Sequence, residues 1–291
     1  MVVKNFSSGL DQDITNYHLF NGYKPLIISI DKKYLIEKGL ENKKSILITL
    51  QNYENKVLAS LKLKLIKSIH TDSTELLIFE GVKGKSAYVN PVHKLFNDLY
   101  YRIVSDKNQN IYLNGNLYDQ VKIAYSIPRK IYLVTVGMGS KFNIFPTDLS
   151  GKICEDKFIL SLRKGGKANE QIENNKKCLV SVIEADYFDL VYKLGKNHMK
   201  EISDINDLGM SVRTETSTIF GLPIPEGATN YFEIEIFDNF EIGIHNLHFC
   251  NVINSEKLSK NKSVLAHIHR DYAEWRIRNR IHTDFYIRKA T

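Results

Sequence analysis

The sequence predicts a mainly β protein with peripheral helices, preceded by an α+β part. Three observations carry this. Aromatic residues make up 11% of the chain, with 16 Tyr and 14 Phe against one Trp. Together with abundant Ile and Val, they suit pleated, half-buried surfaces better than helical bundles. The run at 131–136 is apolar at odd positions (Ile131, Leu133) and at even ones (Tyr132, Val134, Val136), as in a barrel wall covered on both faces. At 231–236, Phe232, Ile234 and Ile236 alternate with Glu233 and Glu235, which is the period of a strand.

With 291 residues, 43% of them hydrophobic, the chain can bury one large core or two modest ones. Residues 1–22 are polar, are broken by Ser7, Ser8 and Gly9, and read as a loosely packed lead-in. LIISI after Pro25 is a short strand, and the charged stretch after it, with Tyr34, Leu35 and Leu40, is a short helix stopped at Gly39. SILITL and KVLASLKLKLIKSI, split by the polar 52–55, form a hairpin, and 74–80 is a further strand. At 90–104 the period changes. Asn90 caps, Pro91 opens the first turn, and Val92, Leu95, Leu99 and Ile103 fall three and four apart, which predicts a helix. The polar stretch 106–120 follows, and we place a border near 118. Residues 1–117 would be an α+β domain or a degenerate second barrel, and 118–291 a barrel domain with a C-terminal helix.

In the second part, Pro128 gives a rigid entry to a strand, CLVSVIE is a buried strand, and 185–195 is a helix ended by Gly195. Residues 196–220 are irregular, and 221–230 is a loop with two prolines. YFEIEIF and FEIGIHNLHFCNVI form a hairpin turning at Asp238 and Asn239. In 263–281, Leu265, Ile268, Tyr272 and Trp275 share one stripe of an amphipathic helix that docks on a barrel or a second subunit.

The net charge is +7, but 40 cations and 33 anions are interspersed without a long basic block, so a nucleic-acid partner is not expected. No apolar run approaches the ~18–20 residues needed to cross a bilayer. The first residues lack the charged-then-apolar pattern of a signal peptide, and a cytoplasmic location is expected. Cys154, Cys178 and Cys250 are widely spaced and form no Cys-x-x-Cys pair; they read as small core residues, not zinc or redox groups. His267 and His269 fall in the predicted C-terminal helix, where residues two apart diverge, so no metal is expected there.

Chemistry concentrates in 135–169: a strand, a glycine-bearing turn, a short polar strand, a loop, an apolar strand, then a cationic loop opening a helix. A phosphate needs backbone N–H groups at tight turns, hydroxyls and cations held close. Arg163, Lys164 and Lys167 supply three cations, Gly165 and Gly166 permit close backbone approach, and Asn169 caps the helix EQIENN. Thr147, Ser150 and Ser161 are nearby hydroxyls. The same loop also fits a solvated βα connection with ordinary surface lysines, and its chemistry alone leaves both readings open.

Val134, Thr135, Gly139, Asn143 and Thr147, then FILSLRKGGKANEQI and CLVSVI, then GLPIPEG, YFEIEIF and GIHNLHFCNVI with His245, follow one another in a telling order. Over about residues 125–255 this order resembles the flavin reductase-like family. The sequence departs from it at Cys250 and Asn251, where the family has Gly-Glu, and at 167–169, where a second Thr is common. The resemblance implies a split β-barrel of Greek-key type, usually a homodimer with FMN at the subunit interface. It implies that Asn143 and Thr147 contact the isoalloxazine or ribityl chain. Arg163, Lys164 and Lys167 would hold the phosphate with Ser161 nearby, Asn169 would sit at the helix start, and His245 near the flavin or nicotinamide. The implied cofactor is FMN, or FAD, with NAD(P)H as a transient reductant, since no Rossmann glycine motif follows a strand. An NAD(P)H-dependent flavin reductase or related oxidoreductase is therefore expected, and it needs no triad because a flavin itself carries hydride. Two rivals remain: a non-catalytic FMN- or haem-binding barrel, and an empty barrel serving as a scaffold.

Overall fold

A computed structural model describes residues 2–4, 11–36, 44–52, 54–88, 99, 113, 115–259 and 263–279. It divides into two compact units that meet at Ile127 and Pro128 in sequence.

The first unit is built on seven antiparallel strands. They are β1 (Val2–Lys4), β2 (Asp11–Asp13), β3 (His18–Tyr23), β4 (Leu26–Asp31), β5 (Ser45–Gln51), β6 (Val57–His70) and β7 (Glu75–Ser86). Their order is β2-β1-β5-β6-β7-β4-β3. The 1–22 stretch expected to be loosely packed contributes three of these strands. Phe20 and Asn21 of β3 are buried, because even this polar stretch carries enough apolar residues to fill a sheet edge. The expected hairpin is β5–β6, and helix α1 (Lys33–Ile36) follows β4. The helix expected at 90–104 lies outside the described residues, apart from Leu99, which is helical.

Helix α2 (Asn116–Ala124) packs on β7, where two glycines clear a path for it. A Cβ on Gly84 would stand 3.0 Å from the backbone of Gln120. The Asn116 amide donates to Gly84 O and accepts from Gly84 N, both at 2.7 Å. The border expected near 118 thus falls inside an element that packs on the first unit.

The second unit holds β8 (Arg129–Lys130), β9 (Tyr132–Met138), β10 (Lys141–Thr147), β11 (Gly151–Lys152), β12 (Lys157–Arg163), β13 (Lys177–Ile183), β14 (Ser203–Asp204), β15 (Val212–Thr216), β16 (Pro223–Pro225), β17 (Ala228–Ile242), β18 (His245–Lys257) and β19 (Ala266–His267). Eight of these form one antiparallel sheet, β11-β12-β18-β17-β13-β9-β10-β14. Two-residue strands stand at both ends of this order, so the barrel is split and not closed. Helices α3 (Lys167–Asn175) and α4 (Phe188–Lys193) are peripheral to it.

One face of the sheet buries Val134, Val136, Phe145, Leu160, Val180 and Ile234 together with Ala168 and Ile172 of α3. The other face of β9, β10 and β13 buries Leu133, Ile144, Leu179 and Ile183 beneath Val191 of α4, Leu194, Leu222 and Ile224. Both faces are covered, as the doubly apolar run at 131–136 requires. Cys178 and Cys250 are buried in the first of these cores, as expected of small core residues.

Two further expectations are corrected. The β17–β18 hairpin does not turn at Asp238 and Asn239. Both lie within β17, next to a bulge, and the turn is at Gly243 and Ile244, where glycine adopts φ 55°. The C-terminal helix is shorter than its apolar stripe suggested. It is α5 (Arg270–Arg278), capped by His269, whose Nδ1 accepts from Asp271 N at 3.1 Å, and it groups with the first unit. Leu265 lies in the second unit's core, and His267 pairs with Arg129 in β19–β8. His267 Nδ1 also stands 2.6 Å from Asp148 Oδ2.

Candidate functional site

Strand β12 delivers Arg163 to the end of the sheet, where it stands directly opposite His245 of β18. The chain then turns through Lys164 and Gly165, whose φ of 71° favours glycine, to Gly166. A Cβ on Gly166 would lie 3.3 Å from Arg163 O, so the turn is tight there. Gly166 is the N-cap of α3, and no side chain caps this helix end. The N–H groups of Lys167 and Ala168 therefore lack intrahelical acceptors, and the positive end of the helix dipole faces the same way. Asn169 was expected to cap the helix. It is instead the third helical residue, because Gly166 already supplies the extended cap conformation.

The three cations converge on this turn but differ in availability. Lys164 Nζ is 3.0 Å from Glu241, and Lys167 Nζ is 3.0 Å from both Glu170 and Glu201. Arg163 is exposed and has no ion-pair partner among the described residues. Lys164 N donates to Ile244 O at 2.9 Å, which ties the turn to the β17–β18 turn. The Lys167 ammonium is held above the ordinary lysine range by hydrogen bonds to Glu170 and Glu201.

Ser161 lies on the same face of β12 as Arg163, two residues away. Its backbone N–H donates to Ser150 Oγ at 3.2 Å, and Thr147 Oγ1 is 3.2 Å from that same oxygen. His245 is buried. Loss of solvation, then the Arg163 charge, pushes its imidazole down to about 4, so it is neutral near pH 7.

Asn143, next to Ile144 on β10, is turned to α3 and not to Arg163 and His245. The Asn143 amide donates to Gln171 Oε1 at 2.8 Å and to Asn197 O at 3.0 Å. Asn197 in turn donates to Ile144 O at 2.7 Å, and Gln171 to Lys200 O at 2.7 Å. Asn143 thus serves as a strut under α3. On the opposite flank, Asn169 Oδ1 is 2.9 Å from His248 Nε2, and Asn246 donates to Glu173 Oε1 at 2.7 Å. Gln171, Asn197, Asn246 and His248 were not singled out from sequence. Strand alternation from His245 carried the signal for two of them, since it sets 246 and 248 on the opposite face.

The flavin reductase like domain model matches residues 124–276, a little over half of the 291 residues, so the chain belongs to the flavin reductase-like family. Solved structures with a similar fold include the NADH:FAD oxidoreductase SgcE6 of Streptomyces globisporus C-1027. It is 18% identical, covers 54% of this chain and 93% of that one, and has a TM-score of 0.45. An FMN-binding protein of Thermus thermophilus is 18% identical over 50% of this chain and 83% of its own, with a TM-score of 0.41. The styrene monooxygenase flavin reductase of Pseudomonas putida S12 is 14% identical over 51% and 91%, with a TM-score of 0.42. No curated protein matches the chain. No helix among the described residues is long and apolar enough to cross a membrane.

Proposed function

We propose that the second unit binds FMN and passes hydride from NAD(P)H to it, for release or onward transfer to a small acceptor. The observation that carries this reading is the uncapped N-terminus of α3, with Gly165, Gly166, Arg163, Lys164 and Lys167 gathered at it. Such an end presents free N–H donors and a favourable dipole to a phosphate. Family membership makes a flavin nucleotide the phosphate-bearing ligand of choice.

In this reading the turn and the first residues of α3 hold the phosphate, and Lys164 and Lys167 share charge with it while keeping their carboxylate partners. His245, buried and neutral, lies beside Arg163 as a hydrogen-bonding group and not as a proton source. A bound flavin supplies the hydride chemistry itself. Ser161 and Thr147 belong to the hydroxyl chain next to the site. Asn143 and Asn169 support it by fixing α3. The protein works as a homodimer whose subunits together enclose the flavin, and as a cytoplasmic enzyme.

The test is an ultraviolet-visible titration of the purified protein with FMN, followed by NADH and then NADPH under anaerobic conditions. A saturable flavin spectrum that bleaches on adding one of the nucleotides is expected. A protein that takes up no FMN overturns the reading; one that binds FMN without bleaching reduces it to a flavin-holding barrel. Light scattering with and without FMN tests the dimer.

A further inference from the structure

Helix α3 is held against β18 by two polar rungs. Asn169 and Glu173 are four residues apart on the helix, and they meet His248 and Asn246, two apart on the strand. Four helical residues rise about 6 Å and two strand residues about 6.6 Å, so the rungs match in length and work together as a ruler. A slip of α3 by one residue would turn both partners away at once.

Three of the four residues of this seam are buried, and Glu173 is half-buried. His248 and Asn246 are 0% exposed, and Asn169 is 6%. Because Asn169 Oδ1 is an acceptor, His248 carries its proton on Nε2 and donates it across 2.9 Å. Its Nδ1 has no hydrogen-bond partner among the described residues. An aliphatic side chain in the same place would cost no buried nitrogen, so packing alone does not call for imidazole here. The Nε2–H bond is what the residue supplies.

This bond stands only two residues beyond Lys167, the last cation of the loop. Asn169 sits in the first turn of α3, directly after the free N–H groups of Lys167 and Ala168. We infer that His248 is a positioning residue that sets α3 along β18 and so aims the first-turn amides at the phosphate of the bound nucleotide. This rests on the flavin-nucleotide reading of the same site. Asn246 is the second rung of the ruler, and Asn143 with Gln171 braces the far flank.

The test compares FMN with riboflavin, which lacks the phosphate, on wild-type protein, His248→Leu, His248→Gln and Asn169→Leu. A ligand that feels only the fold responds equally in both forms; a misaimed cradle affects FMN alone. The expected result is about tenfold weaker FMN binding in His248→Leu and Asn169→Leu, about 1.4 kcal/mol, with riboflavin within twofold. His248→Gln keeps an N–H near the Nε2 position and restores most of the ratio. Equal losses for both ligands, or an unchanged FMN-to-riboflavin ratio in His248→Leu, overturn the inference.

Amide exchange across the first turn of α3 gives a readout that needs no ligand. Faster exchange at 167–169 in His248→Leu, reversed in His248→Gln, is expected; no change overturns the positioning role. If the wild-type protein binds no FMN, the flavin reading falls, and exchange still decides whether His248 holds the helix. Should His248→Leu fail to fold, Asn169→Leu and His248→Gln carry the same comparison.

Discussion

Arg163 and His245 stand directly opposite each other on β12 and β18. The guanidinium and the burial of the ring together make a charged His245 unfavourable, with burial the larger cause. One face over, His248 is likewise pushed down to about 4, by burial and then by Lys176. Both histidines therefore have folded values below the unfolded value of ~6.5.

Their contribution to stability is complete above the unfolded value and is lost as pH falls from ~6.5 towards the folded values near 4, because over that window the unfolded chain binds more protons. Each histidine contributes on the order of 3 kcal/mol across it. Urea midpoints measured from pH 7.5 to 4.5 should fall steeply below pH 6.5. His248→Gln should flatten this dependence by about half. A wild-type midpoint constant across that range would show that neither ring is held neutral.

Glu233 is fully buried, and its carboxylate accepts from Ile219 N, Phe220 N and the Asn254 amide, with the shortest of these at 2.6 Å. It ties the 217–222 turn to β17. Removing it leaves two backbone donors and one amide without an acceptor, at about 1–3 kcal/mol for each unsatisfied group. Glu233→Ala should cost roughly 3 kcal/mol or more and speed amide exchange at Ile219 and Phe220. Glu233→Gln keeps one acceptor oxygen and should cost less. Equal stability of the two variants would count against the turn-anchoring role.

Much of this was legible from residue order. The doubly apolar 131–136 run and the alternation at 231–236 gave the sheet, and the Arg163–Lys167 cations gave the turn at α3. What sequence did not show were partner choices made by folding. Glu233 read as the outward member of an alternating pair, but the 217–222 turn covers that face and supplies N–H groups to it. Asn143 read as a flavin contact and Asn169 as a helix cap, and neither reading could foresee the partners that folding supplies, Gln171 and Asn197 for the one and His248 for the other. The hairpin turn was placed at Asp238 and Asn239 because that pair is a turn signal, while the strands in fact run on to Gly243, where positive φ costs a glycine little.

Lys122 is 0% exposed on α2, with its ammonium 3.6 Å from Asp119 and 3.6 Å from Asp271 of α5, and 4.5 Å from the Tyr118 ring centroid. It bonds the C-terminal helix to the first unit through charge that has little solvent to fall back on. Lys122→Ala leaves two buried carboxylates facing each other and should cost about 3–5 kcal/mol. Adding Asp119→Asn and Asp271→Asn should return a good part of it, since neutral partners need no counter-charge. Thermal melts of the single and triple variants check this, and a triple variant no more stable than the single one would refute it.

The three cations at the α3 turn should not contribute equally to FMN binding. Lys164 and Lys167 are engaged by Glu241, Glu170 and Glu201, so a phosphate must share them. Arg163 is exposed and brings a guanidinium whose fork suits a phosphate's oxygens. Arg163→Ala should weaken FMN about tenfold, Lys167→Ala only about two- to threefold, in line with ~1.5–3 kcal/mol for a hydrogen bond to a charged group and less for a shared one. Glu241→Gln should act in the opposite sense, releasing Lys164 and tightening FMN about twofold. Raising salt from 50 to 500 mM should shrink all three differences, because these charges are exposed and screened. Isothermal titration of the four proteins at both salt concentrations gives the comparison. Equal losses for Arg163→Ala and Lys167→Ala, or no gain from Glu241→Gln, would mean that the glutamate partners do not limit the lysines. No loss in either variant would mean that the phosphate is held by backbone amides alone and that the cations are an ordinary solvated face.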